Sequence, residues 1–397
     1  MAGAASPLER LRTAGRERPR QAAFAGVFLA ALLCFLAVGA VLPILPRYVT
    51  GPIGAGDVAV GVVVGAFAFS AVAGRPVGGR MADRRSRRWV VVVGLLVCVL
   101  AGLLYLVPAG VAGLVVARLV LGIGDGWVFT AGLSWIVDLA PEERRGQAIG
   151  IFGLAIWGGL AAGPLIGEAA HDLGSYELVF ACSAVLPALG ALVALRVPDA
   201  HVGRVVTGGA RSLLPPGVLG PGMALGLANV GYGTMAGFVV LLLADNGVER
   251  GAAVFTAFAT AVVLARLVLG RLPDVLGARV TAAGAGVAEA AGLALLAVAG
   301  TLPVALAGAI VMGLGFSLLF PSLALIAVER VGEERRATAL GAFTAFFDVG
   351  VGLGAPIAGA ISAAASYEAA FLVAAGAAAA GVLVGLVAAA QPRATPA

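Results

Sequence analysis

The chain contains 397 residues, of which 61% are hydrophobic and 12% are charged, whereas ordinary globular chains contain roughly 25% charged residues. This composition, with a mean hydropathy of +1.04, excludes a water-soluble domain and indicates a membrane protein. The net charge is +5 and the chain contains no lysine; we attribute the arginine excess to membrane topology rather than to nucleic-acid binding.

Apolar stretches follow one another along the chain between short polar turns. Each is about 20 residues or longer, which is enough to cross a hydrocarbon core of roughly 30 Å as a helix. The sequence therefore predicts an all-α membrane protein with twelve transmembrane helices, six in each half. The predicted spans are residues 21–47, 57–79, 89–108, 111–138, 147–171, 174–196, 218–243, 251–271, 280–300, 302–328, 337–364 and 367–390.

The distribution of arginine predicts the orientation of these spans. With the amino terminus inside, 21 of the 26 arginines fall in cytoplasmic tails and loops. This asymmetry predicts a multi-pass protein of the inner (plasma) membrane with both termini in the cytoplasm. We expect an N-terminal tail, a six-helix bundle, a cytoplasmic linker rich in Pro, Gly and Arg, a second six-helix bundle and a C-terminal tail, at residues 1–20, 21–197, 198–217, 218–390 and 391–397.

The chemistry of the first half returns in the second half at a fixed spacing of 191 residues. A register held over so much sequence indicates two copies of one structural unit, because insertions would otherwise have destroyed the spacing. The matched pairs include Arg75 and Arg266, Gly79 and Gly270, Asp83 and Asp274, Gly122 and Gly313, and Tyr176 and Tyr367.

The loop after the second span reads Gly-Arg-Met-Ala-Asp-Arg-Arg-Ser-Arg-Arg over residues 79–88, and a second copy occupies residues 270–279. This segment resembles the loop signature of the major facilitator superfamily, with Ser86 where glycine is usual. The resemblance implies the major facilitator fold, in which two six-helix bundles form a transporter. The end of the first span, with Pro43 and Pro46, resembles the drug:proton antiporter branch.

The family resemblance implies that this loop is a conformational latch that holds the cytoplasmic side shut. Gly79 would let neighbouring helices approach closely, and Asp83 would accept hydrogen bonds from a facing helix N-terminus. The arginines would bind acids on the fourth span, where Asp138 is the obvious partner. The alternative for the arginines is that they only satisfy the charge rule for orientation. The predicted latch residues are Gly79, Asp83, Arg84, Arg87, Asp138, Gly270 and Asp274.

The fourth span contains Arg118, then Gly122 and Asp125. This segment resembles the family pattern of a buried arginine followed by glycines. The resemblance to proton-coupled exporters implies that the arginine takes part in proton transfer. Asp125 departs from the pattern, lies near the middle of the span and shares a helix face with Arg118. Ionisable residues inside a membrane are functional candidates by default. The alternative is an ion pair between helices that only stabilises the fold.

The fifth span contains Gly159, Gly163, Pro164 and Gly167. This pattern resembles the glycine-proline signature of exporters in the family and favours efflux. Two glycines at i and i+4 make a smooth face for close packing, and the proline removes a backbone hydrogen bond and bends the helix. Generic packing of small residues is the alternative, and an importer or sugar permease on the same fold stays open.

Positions at which the two copies differ are candidates for specialised roles. The chain places one acid near the middle of a span in each half, Asp125 and Asp348. We expect one of them or both to carry a coupling proton, because burial in a low dielectric favours the neutral carboxyl group. Arg118 would tune them. The differing pairs are Arg118 and Ala309, Asp125 and Phe316, and Trp157 and Asp348.

The candidate cavity wall combines aromatic side chains with few polar groups, which suits a largely apolar or planar organic ligand. Glu289 on the ninth span is expected to pair with Arg266, since buried charges are normally paired. The predicted substrate-binding residues are Phe35, Phe129, Trp157, Asn229, Tyr232, Phe316 and Phe320.

The sequence disfavours a membrane enzyme or sensor, because it has only two histidines, far apart, and no soluble catalytic domain. We therefore predict a secondary transporter that needs no cofactor or metal. Its partners would be membrane lipid, a small organic substrate and protons, and it would function as a monomer.

Overall fold

The computed structural model describes residues 7–84, 86–141, 144–199, 216–330 and 336–390. The predicted tail at 391–397 and most of the predicted linker at 198–217 lie outside these residues, so the division between the domains stays a prediction. Within the described ranges the chain is all-helical, as predicted, with no strand.

Fourteen helices make up the described part of the chain. Twelve of the helical segments are long and apolar enough to cross a membrane, which confirms the predicted number of spans. The helices are α1 Pro7–Val41, α2 Ile44–Thr50, α3 Asp57–Arg84, α4 Arg87–Tyr105, α5 Gly110–Leu139, α6 Arg145–Leu173, α7 Tyr176–Arg196, α8 Pro216–Asp245, α9 Ala252–Leu269, α10 Leu272–Leu276, α11 Ala278–Ala297, α12 Leu302–Glu329, α13 Arg336–Ala364 and α14 Tyr367–Ala390.

Two predicted spans differ from the helices that form. The first span is interrupted before Ile44, where a proline precedes α2, because proline cannot continue the backbone hydrogen bonds of a helix. The second span was predicted to end at residue 79, but α3 continues to Arg84. The first half of the loop signature is therefore a helical extension of α3.

Helices α1–α7 form the first bundle and α8–α14 form the second bundle. The closest helix pairs between the bundles are α3 with α13 and α6 with α9, and α8 also contacts α2 and α3. The α3–α13 pair is close because small residues meet there: a Cβ on Gly61 would lie 2.5 Å from the Ala355 carbonyl oxygen, and one on Gly65 would lie 2.6 Å from that of Gly352. Such contacts let two helix backbones approach directly.

The two bundles are closed on one face and separate on the other. Because the number of spans is even, the start of the first helix and the end of the last helix lie on the same side of the molecule. We call this side the terminal face and the opposite side the distal face. On the distal side a single apolar core includes residues of both bundles, among them Val49, Val60 and Leu243. Nearer the terminal face each bundle has its own core, one around Trp135 and one around Phe343.

The two separate cores and the open space beside two glycines indicate a cleft between the bundles toward the terminal face. Gly150 on α6 and its repeat mate Gly341 on α13 both lie on the terminal side of the bundle contacts, and a Cβ on either would have no atom within 4 Å. The distal side is held by the glycine contacts of α3 and α13 and by a hydrogen bond of 2.9 Å from the Tyr367 hydroxyl to Asp57.

Candidate transport site

An ion pair joins the two bundles at the centre of the molecule. Arg75 of α3 and Asp348 of α13 face each other, and the arginine Nη2 lies 3.0 Å from the Asp348 Oδ1. Asp348 is only 3% exposed. Its second oxygen and the Nε of Arg75 are buried without a hydrogen-bond partner among the described residues. The pair thus has unused hydrogen-bonding capacity on both sides.

The surroundings of Arg75 on the first bundle hold its guanidinium in place. The guanidinium carbon lies 4.6 Å from the centre of the Phe129 ring, a distance at which a cation is attracted to an aromatic face. Gly126 makes room for the arginine stem, since a Cβ there would lie 3.3 Å from the Arg75 Cγ. Arg75 is therefore packed against α5 while it reaches across to α13.

Asp125 lies beside this pair on α5. It is 2% exposed, and its Oδ1 has no hydrogen-bond partner within the described ranges. The charges of Arg75, Asp348 and Arg118 all act on it. The two predicted acids, which belong to different bundles, are therefore brought into one electrostatic group, and Arg75 is its third member.

Arg118 is not bound directly to either acid. Its Nε donates to the Val63 carbonyl at 3.3 Å and its Nη2 donates to the Val64 carbonyl at 3.0 Å, and its guanidinium carbon lies 4.8 Å from the Phe67 ring centre. These contacts fasten α5 to α3 inside the first bundle. Arg118 acts on Asp125 through its charge rather than through an ion pair.

Aromatic side chains from both bundles meet on the other side of the bundle interface. Trp157 of α6 lies 5.1 Å from Phe316 of α12 and 6.3 Å from Tyr232 of α8, measured between ring centres. Phe258 of α9 contacts all three rings, at 5.3 to 6.2 Å. These four rings are named the aromatic cluster. Three of them were predicted to bind substrate, and they are brought together.

The acids and the aromatic cluster occupy equivalent places in the two repeats. Adding 191 to Asp125 gives Phe316, and subtracting 191 from Asp348 gives Trp157. Phe316 and Trp157 contact each other across the bundle interface, as Asp125 and Asp348 interact across it. One side of the interface is therefore charged, and its two-fold mate is aromatic.

The remaining predicted substrate residues lie apart from the aromatic cluster. Phe35 is buried in the first bundle, where its Cβ would meet a side chain on Gly159 at 2.7 Å. Phe129 lies under Arg75, and Phe320 packs on Phe343 at 5.2 Å. Asn229 donates to the Leu225 carbonyl at 2.8 Å within its own helix. The structure thus joins Phe129 to the charged side rather than to the ring cluster.

The expected pair between Arg266 and Glu289 does not form. Arg266 donates instead to the Ser317 carbonyl at 3.3 Å, and both oxygens of the fully buried Glu289 have no partner among the described residues. The expectation was wrong because α9 and α11 are on opposite sides of α12: α12 packs against both, and α11 meets it closely at Gly315.

The predicted latch residues lie at the terminal end of α3 and its neighbours. Arg87 forms an ion pair with Asp138, which confirms that expected contact, and it also donates to the Ser134 carbonyl.

Asp83 and Arg84 are exposed at the end of α3. A Cβ on Gly79 would meet Thr130 at an ordinary 3.4 Å. In the second copy, Gly270 ends α9 and Asp274 lies in α10.

The fifth-span glycines form a smooth face, as predicted. A Cβ on Gly159 would meet the Leu36 backbone at 2.8 Å, and one on Gly163 would meet Gly39 Cα at 2.6 Å. Gly167 continues this contact against Ala40. The pattern therefore packs α6 directly on α1, and Pro164 lies inside α6.

Sequence analysis missed three contributors to this region. Arg75 was placed inside a helix without a role, although an intramembrane arginine needs a counter-ion as much as an intramembrane acid does. Phe258 and Phe347 were overlooked because isolated phenylalanines in apolar helices carry no pattern; Phe347 contacts Phe316 at 5.9 Å. Among the described residues, no group of three His, Cys, Asp or Glu side chains is placed to hold a metal ion.

Comparison with known proteins agrees with this architecture. The sequence profile of the family described as Major Facilitator Superfamily matches residues 27–250 and again residues 222–397. A relative from Salmonella typhimurium, described as an uncharacterized MFS-type transporter, is 33% identical over 368 residues, which is 89% of this chain and 93% of the relative. One from Burkholderia mallei with the same description is 33% identical over 366 residues, 89% of each chain.

Solved structures share the fold at low sequence identity. The nucleoside transporter NupG superposes with a TM-score of 0.74 at 15% identity, over 93% of this chain and all of that one (100%). The human organic anion transporter TETRAN superposes with a TM-score of 0.69 at 17% identity, over 92% of this chain and 99% of that one.

Proposed function

The chain belongs to the major facilitator superfamily, and we propose that it is a proton-coupled exporter of a small, largely apolar or aromatic organic compound. The ion pair between Arg75 and Asp348 supports this proposal most directly. It joins the two bundles at 3.0 Å beside Asp125, whose Oδ1 has no hydrogen-bond partner among the described residues. With both termini in the cytoplasm, as the arginine distribution indicates, the open cleft faces the cytoplasm.

Proton binding at Asp348 would control the contact between the bundles. The ion pair requires an ionised Asp348, so the terminal-open state corresponds to the state after proton release. Protonation would remove the negative charge and with it the attraction to Arg75, whose charge also acts on Asp125. A proton and an arginine would thus compete for the same carboxylate, which is the linkage that coupled transport requires.

Alternating access would exchange the closed distal contact for a closed terminal contact. The distal contact is dense and depends on the glycines that bring α3 against α13. The terminal side carries the predicted latch residues: Arg87 forms an ion pair with Asp138 within the first bundle, and Asp83 is exposed at the end of α3. We propose that Asp83 meets the second bundle when the terminal side closes.

The direction of transport rests on α6. Its Gly159, Gly163, Pro164 and Gly167 resemble the exporter signature, and these glycines pack on α1, the helix whose proline end resembles the antiporter branch. The aromatic cluster supports an aromatic or apolar substrate, since its rings line the interface where the cleft ends. We therefore propose efflux, driven by protons that enter as substrate leaves.

The test is accumulation of labelled aromatic compounds in inverted membrane vesicles that contain the protein, with and without an inward-acid pH gradient. We expect at least one compound to accumulate only with the gradient and to be lost when a protonophore is added. Vesicles that contain the Asp348→Asn variant at matched expression are the control. Absence of gradient-dependent accumulation for neutral, cationic and anionic compounds alike would overturn the proposal.

A further inference from the structure

Arg266 lies between the bundles and has no carboxylate partner among the described residues. Among the described residues, its side chain makes one hydrogen bond, from Nη2 to the Ser317 carbonyl of α12 at 3.3 Å. The three salt bridges found among the described residues involve Arg47, Arg75 and Arg87. A cation inside a membrane protein is costly unless an opposite charge approaches it. An arginine that stays at such a position is therefore a candidate for a functional role, such as binding an anionic ligand.

The repeat explains why Arg266 lacks an acid. It is the mate of Arg75, which lies beside two acids, Asp348 and Asp125. At the two positions that correspond to these acids around Arg266, one in each repeat, the chain carries aromatic residues, Trp157 and Phe316. The duplicated cation has therefore been kept, whereas both of its counter-ions have been exchanged for rings that contact each other at 5.1 Å.

The geometry around Arg266 leaves access from the cleft. Its Nη1 lies 3.4 Å from the place where Gly153 of α6 would carry a Cβ, and Gly153 has no side chain to cover it. Gly150, one turn nearer the terminal face, has open space beside it. A molecule that enters the cleft along α6 therefore passes these glycines and meets the guanidinium before the rings.

The helical rise places the arginine and the rings at successive levels of the bundle interface. Trp157 follows Gly153 by one helical turn in the distal direction, which is about 6 Å along α6. Phe258 precedes Arg266 by about two turns on α9, also on the distal side, and its ring lies 6.2 Å from that of Trp157. The cluster thus forms a floor, and the cation lies above it toward the mouth of the cleft.

We infer that Arg266 binds the anionic group of the transported compound, whose ring rests on Trp157 and Phe316. The ligand supplies the negative charge that is missing beside Arg266, so the substrate class is an aromatic carboxylate whose ring and anion are about one helical turn apart. A planar carboxylate also matches the fork of N–H donors on arginine. This inference rests on the proposed transport function and narrows its substrate.

The first experiment measures equilibrium binding of naphthylacetate to the purified protein in detergent, with naphthylacetamide as a neutral ligand of the same shape. We expect naphthylacetate to bind at least about tenfold more tightly, because a hydrogen bond between ionised groups is roughly twice as strong as one between neutral groups. Equal affinity for the acid and the amide, or tighter binding of the amide, would overturn the inference.

Variants separate a direct contact from a general field effect. Arg266→Gln should remove the preference for the acid and leave binding of the amide within about twofold, whereas Arg266→Lys, which keeps the charge, should retain part of the preference. Arg196→Gln is the matched control, since Arg196 is exposed at the end of α7 and donates to its own helix at Leu192. An undiminished preference in Arg266→Gln would contradict the inference even if the wild type prefers the acid.

Two further comparisons distinguish failure of the proposed transport function from failure of the Arg266 inference, and the substrate from a lipid headgroup. Because binding is measured without a gradient, loss of gradient-driven uptake together with intact acid preference would refute proton coupling and support the Arg266 site. Gradient-driven uptake without acid preference would do the reverse. Titration in phosphatidylcholine vesicles with and without phosphatidylglycerol separates the substrate from a lipid headgroup: unchanged naphthylacetate affinity supports the inference, and displacement by phosphatidylglycerol would show that the lipid is the ligand and overturn it.

Discussion

Arg75 and Asp348 meet at the point where the distal contact between α3 and α13 gives way to the open cleft. The contact between Gly65 and Gly352 lies on the distal side of the pair, and Gly341, with open space beside it, lies on the terminal side. The ion pair is therefore the last link between these helices before the bundles separate. A change in its charge acts where the interface must open or close.

Breaking this pair should show strong energetic coupling between its partners. Arg75→Gln leaves the buried Asp348 without a counter-charge, and Asp348→Asn leaves Arg75 unpaired, whereas the double variant removes both. We expect the two effects on the free energy of unfolding, measured by titration with sodium dodecyl sulfate, to be non-additive by about 1 to 3 kcal/mol.

The pair between Arg47 and Glu168 is the matched control for this cycle. It lies within the first bundle, and its side chains are 30% and 29% exposed. Solvent-exposed pairs are worth little, so the coupling between Arg47→Gln and Glu168→Gln should be below about 1 kcal/mol. Additive effects at Arg75 and Asp348 would mean that the pair does not hold the bundles together.

A bulky residue in the distal contact between α3 and α13 should separate the two helices. A Cβ on Gly65 would lie 2.6 Å from the Gly352 carbonyl oxygen and 2.8 Å from the Pro356 ring, and neither group can move aside without its helix. Gly65→Leu should therefore raise the rate at which a cysteine placed at the buried Val64 reacts with an impermeant maleimide added on the distal side. The measurement uses a background in which Cys34, Cys98 and Cys182 are replaced by serine.

Gly376→Leu is the control for this contact, because nothing lies within 4 Å of a Cβ at Gly376 on α14. It should leave the labelling rate unchanged. If Gly65→Leu folds and labels no faster than this control, the α3–α13 contact is not the distal gate.

Loss of the latch acid should favour the terminal-open state. We propose that Asp83 meets the second bundle only when the terminal side is closed, so Asp83→Asn should raise labelling of a cysteine placed at Gly341 from the terminal side. A change of about two- to tenfold corresponds to the 0.5 to 1.4 kcal/mol that one capping interaction contributes.

Asp172→Asn removes the same charge at the exposed distal end of α6 and serves as the control for the latch. It should not change the labelling of the Gly341 cysteine. Equal rates in the Asp83→Asn and Asp172→Asn variants would assign Asp83 to topology alone.

The spans and their number could be predicted because few backbone conformations are possible inside a lipid bilayer. Backbone polar groups must be satisfied within each segment, so apolar runs of about 20 residues become helices. The exceptions are local: Pro43 interrupts the first span, and α3 continues through the loop signature to Arg84. Charged residues at the membrane surface can remain helical, so hydropathy alone marks the end of a span poorly.

The contacts between helices could be predicted only in part. Asp125 and Asp348 were identified because an acid inside a span is rare and because they break the repeat, but the pairing of Asp348 with Arg75 depends on how the bundles dock. The sequence suggested Glu289 for Arg266 because both are intramembrane charges on nearby spans. Helix periodicity gives the face of a residue relative to its own helix, and it does not tell which helix that face meets.

If protons drive transport through Asp125 and Asp348, two activities of the same vesicles should respond differently to loss of these acids. One is uptake of a transported aromatic compound driven by the pH gradient, and the other is exchange of that compound at equal pH. In Asp348→Asn and Asp125→Asn variants we expect gradient-driven uptake to fall to the level of empty vesicles, while exchange persists because substrate binding and bundle movement remain. Full gradient-driven uptake in both variants would contradict the account.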